Sequence, residues 1–377
     1  MPARRWQAMA DMRKLLPRSP LTLAPRGLPS RAMAYASPVL ALALTLLFGA
    51  LLFLALGKDP VAALKVFLAD PLRDKRAIGE VLLKTVPLVL CALGLSVCYR
   101  ANVWNIGADG QLIAGGICAG AAVLVFDVPG QTMNGTVVLV LASLAGIAGG
   151  MAWASLTALL KDRFNANEIL VSLMLTYIAQ QLLLWVVNGP LKDPDGMNFP
   201  QSKVFSSEYL LPNLMSGSRL HAGFVVMLVL VAVMTVFVFR SFAGYRLQVG
   251  GTAPAAARYA GFSARSALWS ALLISGATAG LAGAFEVVGP IGQLLPSISP
   301  GYGFTAIIVA FIGRLHPVGT VFGGIMMSLF YIGGEMAQSR LGLPSAIGWV
   351  FQGMLLFFLL ACDTLIDNRL RWRATTA

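Results

Sequence analysis

The chain has 377 residues, 57% hydrophobic and only 12% charged, with 28 Lys and Arg against 16 Asp and Glu. Soluble domains carry about 25% charged residues, so the composition excludes an ordinary soluble fold and points to an integral membrane protein. The net charge of +12 then reports orientation, because cytoplasmic loops collect Lys and Arg; it is not read as a nucleic-acid surface.

Residues 1–34 carry Arg4, Arg5, Arg13, Lys14, Arg18, Arg26 and Arg31 among prolines, the pattern of a basic, poorly ordered cytoplasmic tail. The apolar run 35–56 lacks a small-residue cleavage site after a short core, so it reads as an uncleaved first span. After a mixed-charge loop, 57–79, further spans are expected at 80–99 (kinked at Pro87), 106–126, 137–160 and 167–187. A polar loop at 188–220 leads to a sixth span at 221–239, a second basic loop at 240–265 and a seventh span at 266–288. Pro290, Pro296 and Pro300 break the following stretch. The run 304–312 is too short to cross alone, since a span needs about 20 residues, so a half-helix or tilted segment is expected there. Spans at 318–335 and 346–365 precede a basic tail, 367–377, with Arg369, Arg371 and Arg373. The fold class is all-α polytopic, about ten membrane segments within 35–366, one of them short or broken. With the N-terminus cytoplasmic, most Lys and Arg fall inside; a re-entrant 304–312 would reverse the assignments beyond it.

The stretch 99–111 reads Tyr-Arg-Ala-Asn-Val-Trp-Asn-Ile-Gly-Ala-Asp-Gly-Gln. It places Arg100, Asn102, Asn105, Asp109 and Gln111, with two glycines, between two apolar runs. Irregular backbone at membrane depth must be buried in protein or line a water-filled cavity, so these residues are candidates for a permeation pathway. Arg100 falls on the cytoplasmic side, so Asn105 and Asp109 enter the membrane from within, as an inner gate would. Charged side chains inside spans cost about 2.5–3.5 kcal/mol on insertion scales and face the bundle interior. Glu286 either lines the pathway or makes a helix-end hydrogen bond. Asp109 serves the pathway or caps the third span, and Glu335 is read as a helix-end residue. Lys84 is placed to pair with Glu80 on one helix face, and Asn165 or Asn167 to cap the fifth span.

Cys91, Cys98, Cys118 and Cys362 lie in apolar segments without CxxC spacing and read as small core residues. His221 and His316 have no partner at metal-ligand spacing, and neither a nucleophile elbow nor a GxxxxGK[ST] loop occurs. No catalytic residue, metal or cofactor is assigned; if transport uses ATP, another chain hydrolyses it. GxxxG spacings at 116/120, 146/150, 276/280 and 319/323 suit close helix packing. In the loop 240–265, Pro254 fits a first helical turn, the alanines propagate it, and Gly261 ends it. The resulting short helix, with Ala257, Arg258 and Tyr259, is a candidate docking element for a soluble partner.

Residues 102–111 resemble the signature of permease subunits of ATP-binding-cassette importers, in the branch serving branched-chain amino acids, ribose and nucleosides. Asn167-Glu168-Ile169 with Leu173-Met174-Leu175-Thr176-Tyr177-Ile178-Ala179 is similar to the motif of the simple-sugar and nucleoside subgroup, with Thr176 where that motif has Asn. Residues 250–261 resemble the family's coupling segment, and Gly303-Phe304-Thr305-Ala306-Ile307 with Gly313-Arg314 its short segment before a turn. The likeness spans 80–365; the basic N-terminus has no counterpart in it. The resemblance implies an inner-membrane permease for a nucleoside or simple sugar, in membrane lipid. It would work with an ATPase subunit docked at Ala257, Arg258, Tyr259 and Gly261, a second homologous permease and an extracytoplasmic substrate-binding protein. An ion-coupled secondary transporter is the alternative; it needs protonatable relays, and the spans offer few acids.

Overall fold

The computed structural model describes residues 21–27, 30–128 and 133–372. In chain order come β1 (Leu21–Pro25), α1 (Arg31–Ala55), α2 (Lys75–Arg100), α3 (Ala108–Phe126), α4 (Gly135–Phe164), α5 (Glu168–Asn188) and α6 (Gly223–Arg240). They are followed by α7 (Phe242–Thr252), α8 (Pro254–Tyr259), α9 (Ala264–Glu286), α10 (Tyr302–Ile312), α11 (Pro317–Leu341), α12 (Ile347–Asp367) and β2 (Asn368–Trp372). Among the described residues, 9 helices are long and apolar enough to cross a membrane, and α10 is a shorter apolar helix. The all-α polytopic class read from composition is the observed one.

The chain divides into two compact units, residues 1–51 with 353–377 and residues 52–352. In the first, β1 and β2 pair antiparallel from Leu21↔Trp372 to Pro25↔Asn368, and Arg26 Nε donates to the Asn368 carbonyl at 3.1 Å. Parts of both basic tails are therefore ordered, and α1 starts at Arg31, earlier than the apolar run suggests. The partner strand lies at the other end of the chain, so no local pattern announces the pairing. Residues 1–20 and 373–377 of the expected tails lie outside the described residues. In the same unit Ser37 hydrogen-bonds Asp363, and the Phe48 and Phe358 rings lie 5.0 Å apart.

In the second unit α2 and α9 are the inner helices, with 89% and 83% of their apolar windows buried, against 28% for each of α4, α5 and α6. Glycine lets the inner backbones touch. A Cβ on Gly150 of α4 would lie 2.7 Å from the Gly280 Cα of α9, and one on Gly283 would lie 2.8 Å from the Gly116 amide nitrogen of α3. Hydrocarbon offers no hydrophobic drive between helices, so such close approach supplies the packing energy.

Contacts define two faces of this unit. On one, the turn after α2, the α6–α9 connection and the turn after α10 meet through Arg100, Gly251 and Leu315; this is the face rich in Arg. On the other, Arg219 pairs with Glu80 and the Ser202 amide donates to the Leu294 carbonyl at 3.0 Å. Residues 294–315 thus join the two faces, as an irregular stretch followed by α10. The short segment runs between the two faces, and as a broken segment.

Candidate functional site

The turn after α2 starts at Arg100. Asn102 takes a left-handed φ of 55°, a conformation Asn tolerates by bonding locally, and its Oδ1 accepts from Trp104 Nε1 at 3.3 Å. Asn102 is exposed; it belongs to the turn and stands apart from the buried group with which its sequence neighbours placed it. The chain then runs unwound into the protein. Asn105 is fully buried: its amide donates to Ser275 Oγ of α9 at 2.9 Å and to Gln111 Oε1 at 3.3 Å. Its Oδ1 accepts the Gly107 amide at 2.9 Å. Gly107 packs against Ser172, four residues into α5, which at 1.5 Å per residue is about 6 Å from the start of that helix. Asn105, Gln111 and Ser275 form a buried polar cluster just inside the Arg-rich face, in keeping with an approach from that side.

Asp109 is also fully buried. It caps a helix, but not its own. Its Oδ1 accepts the Gly303 amide at 2.8 Å and the Ser299 hydroxyl at 2.6 Å, so it holds the first turn of α10. Ser299 Oγ in turn accepts the Tyr302 amide at 3.1 Å. A carboxylate suits the positive end of a half-helix, and Gly303 admits it because a side chain there would strike the Asp109 backbone. Asp109 Oδ2 is buried without a hydrogen-bond partner among the described residues.

Toward the opposite face lies a cavity of about 250 Å³ lined by Lys84, Glu286, Tyr302, Arg219 and Glu335 with apolar Pro290, Ile291, Leu295 and Ile298. A second, of about 460 Å³, shares Arg219 and Glu335 and adds Arg76 and Glu80. Lys84 does not pair with Glu80 as its spacing suggested. Glu80 takes a two-pronged bond from Arg219, Nε to Oε1 at 3.0 Å and Nη2 to Oε2 at 2.7 Å, while Lys84 Nζ donates to the Tyr302 hydroxyl at 2.6 Å. That hydroxyl meets Glu286 Oε1 at 3.4 Å, and Glu286 lines the cavity. Glu335 lies inside α11, which continues to Leu341, and it is no helix-end residue. The first two residues of α10 stand between the two polar regions: Tyr302 faces Glu286 and Gly303 faces Asp109.

The loop 240–265 holds two helices where one was expected. α8 has Pro254 in its first turn and is followed by Gly261 at φ 77°, as read from the sequence. Ala257 is buried, Arg258 is exposed, and Tyr259 is 98% exposed. α7 precedes it and includes Gly250 and Gly251 in its helical backbone; it presses on the turn after α2 at Gly251, which lies against the Arg100 carbonyl. Arg100 gathers three elements there. Nε donates to the Leu315 carbonyl at 3.0 Å, Nη1 reaches Gln248 Oε1 of α7 at 3.5 Å, and the guanidinium lies 5.0 Å from the Phe239 ring. Leu315 has φ 55°, a costly conformation for a bulky residue that the surroundings must enforce.

Asn167 caps α5, accepting the Ile169 amide at 3.0 Å, while the left-handed Asn165 closes α4. Thr176 is buried and bonds its own helix at the Ser172 carbonyl, 3.2 Å away; Gly110 packs on its backbone. Sequence reasoning missed Tyr302, Ser275, Ser299 and α7. Lys84, the one charged residue in the run 81–99, and Tyr302 between two glycines were the available signals. Among the described residues no His, Cys, Asp and Glu group is placed to hold a metal.

A polytopic helix bundle with a broken segment, a polar region on each side of it and short helices seated on the turn after α2 defines a membrane transport subunit. Residues 77–360 match the family described as branched-chain amino acid transport system / permease component, and the chain belongs to that family. It is 33% identical to the glucose ABC transporter permease protein TsgB13 of Haloferax volcanii, over 91% of each chain. It is 29% identical to the guanosine ABC transporter permease protein NupP of Bacillus subtilis, over 85% of this chain and 91% of that one. With the nucleoside ABC transporter permease protein NupB of Lactococcus lactis the identity is 27%, over 85% and 89%. No solved structure gives a significant match. Membership brings the partners of such a permease, an ATPase subunit, on which ATP is hydrolysed, and a substrate-binding protein; it sets aside the ion-coupled alternative.

Proposed function

We propose that the chain carries a nucleoside or simple sugar across the plasma membrane of a prokaryotic cell, paired with a second, related permease. Its N-terminus and Arg-rich face lie in the cytoplasm, as positive-charge counting directs. Cargo released by the binding protein enters the cavity at Glu286, passes the start of α10, and leaves through the region of Asp109, Asn105 and Gln111. The relatives named for glucose, guanosine and nucleosides support that choice of cargo.

The observation that carries this reading is the seat of α7 and α8. Gly251 and Gln248 rest on the Arg100 turn, Arg100 holds the turn after α10, and Tyr259 projects outward almost fully exposed. An aromatic side chain beside Arg258 is a strong anchor for a protein partner. The ATPase docks there, and its closure on ATP moves α8, α7 and then the Arg100 turn, which carries both ends of the inner gate. Replacing Arg258 and Tyr259 together with Ala should leave assembly largely intact, held by the rest of the docking surface, while ATP hydrolysis no longer drives uptake in reconstituted vesicles. Normal uptake by that variant would overturn the docking assignment.

A further inference from the structure

The cavity at Glu286 has the chemistry of a hydroxyl-binding subsite. Glu286 is 6% exposed and Tyr302 is fully buried, so both belong to the protein interior at the edge of the cavity. At its floor one ammonium, Lys84, and one carboxylate, Glu286, meet through the Tyr302 hydroxyl. The formal charges of the lining cancel, Lys84 and Arg219 against Glu286 and Glu335, so the cavity gives no net preference for an anion or a cation. What remains is a set of donors and acceptors a few ångströms apart. The ligand group that answers both is a neutral one that donates and accepts at once, and a hydroxyl does so. Two adjacent hydroxyls can donate side by side to the two oxygens of one carboxylate, as a guanidinium does. The Tyr302 to Glu286 contact, at 3.4 Å, is long for an O–H···O bond, whose usual range is about 2.5–3.0 Å, so the carboxylate has capacity left for a ligand. Pro290, Ile291, Leu295 and Ile298 belong to the same lining and offer apolar side chains against which the carbon side of a ring can rest.

We infer that Glu286 binds a pair of vicinal hydroxyls on the cargo, with Lys84 and Tyr302 as its partners, and so selects sugar rings that keep both. The inference rests on the proposed transport of nucleosides or simple sugars. A ribose and a hexose share this chemistry, and the experiment separates them.

The test uses the reconstituted complex with its ATPase and binding protein, and reads maximal uptake rate with the binding protein saturated, so that its own affinity drops out. The probes are guanosine against 2′-deoxyguanosine and glucose against 2-deoxyglucose. For whichever parent is transported, the wild-type complex should move the deoxy compound roughly tenfold more slowly, the scale of one lost charge-assisted hydrogen bond. In Glu286→Gln that ratio should fall toward one, mainly through slower uptake of the parent. A Glu286→Gln complex that slows parent and deoxy cargo by the same factor, or a wild type that does not distinguish them, overturns the subsite while leaving the transport reading in place. Uptake of neither guanosine nor glucose by the wild type sinks the cargo reading and the subsite with it.

Discussion

Gly251→Ala tests whether motion of the short helices reaches the gate. The new Cβ would lie 2.8 Å from the Ala101 carbonyl carbon and 2.9 Å from the Asn102 amide nitrogen, and closer still to the Arg100 carbonyl oxygen. All three neighbours are backbone, so none can rotate away. Restoring ordinary contact at 3.4 Å requires α7 to lift by roughly 0.6 Å from Ala101, and further from Arg100, at a cost of about 1–3 kcal/mol. The Arg100 to Gln248 contact, already 3.5 Å, would part. If that energy is taken from the coupling between sites, uptake per ATP hydrolysed should fall about 5- to 150-fold. Gly250→Ala is the matched control: its Cβ would meet only the Ala267 Cβ, at 3.9 Å, and the change in helix propensity is the same. Uptake and hydrolysis are measured together in vesicles, with permease abundance recorded. An unchanged ratio in Gly251→Ala at normal abundance refutes the coupling path. A loss of abundance confined to Gly251→Ala also refutes it, by placing the cost in folding.

Two further outcomes follow from the same geometry. Asp109→Asn keeps an acceptor for the Gly303 amide and Ser299 but removes the charge facing the α10 N-terminus, so uptake should fall about tenfold with abundance unchanged; equal loss of both would make Asp109 a structural cap only. His221 precedes α6, is 2% exposed and accepts the Gly223 amide on Nδ1 at 3.1 Å, and burial pushes its pKa down from 6.5 to about 4. The folded protein therefore binds this proton less readily than the unfolded chain. Stability is complete above pH 6.5 and falls as the pH drops toward 4, by about 3 kcal/mol in all. The melting temperature of the purified protein should show this slope and His221→Asn, which keeps a short acceptor for the Gly223 amide, should flatten it; an identical slope in the variant would refute the assignment.

Much of this molecule is legible from residue order alone, because the bilayer reads hydropathy one segment at a time. Each span must satisfy its own backbone and present apolar side chains, so the spans announce themselves, at 9 helices among the described residues, and polarity at 99–111 marks where that rule is broken. Local chemistry marked the caps as well: Pro254 and Gly261 bound α8, and Asn167 starts α5. What residue order could not supply is which elements those marked residues meet. Asp109 sits two residues into α3 yet binds α10, 190 and more residues on; Lys84 lies one turn from Glu80 yet bonds Tyr302. Asn102 and Asn105 are three apart, and one is exposed while the other is buried. The choice among partners is made by packing, since a buried polar group pays several kcal/mol unless it finds a partner and only the assembled bundle determines which one is in reach. The pairing of β1 with β2, from opposite ends of the chain, has the same cause.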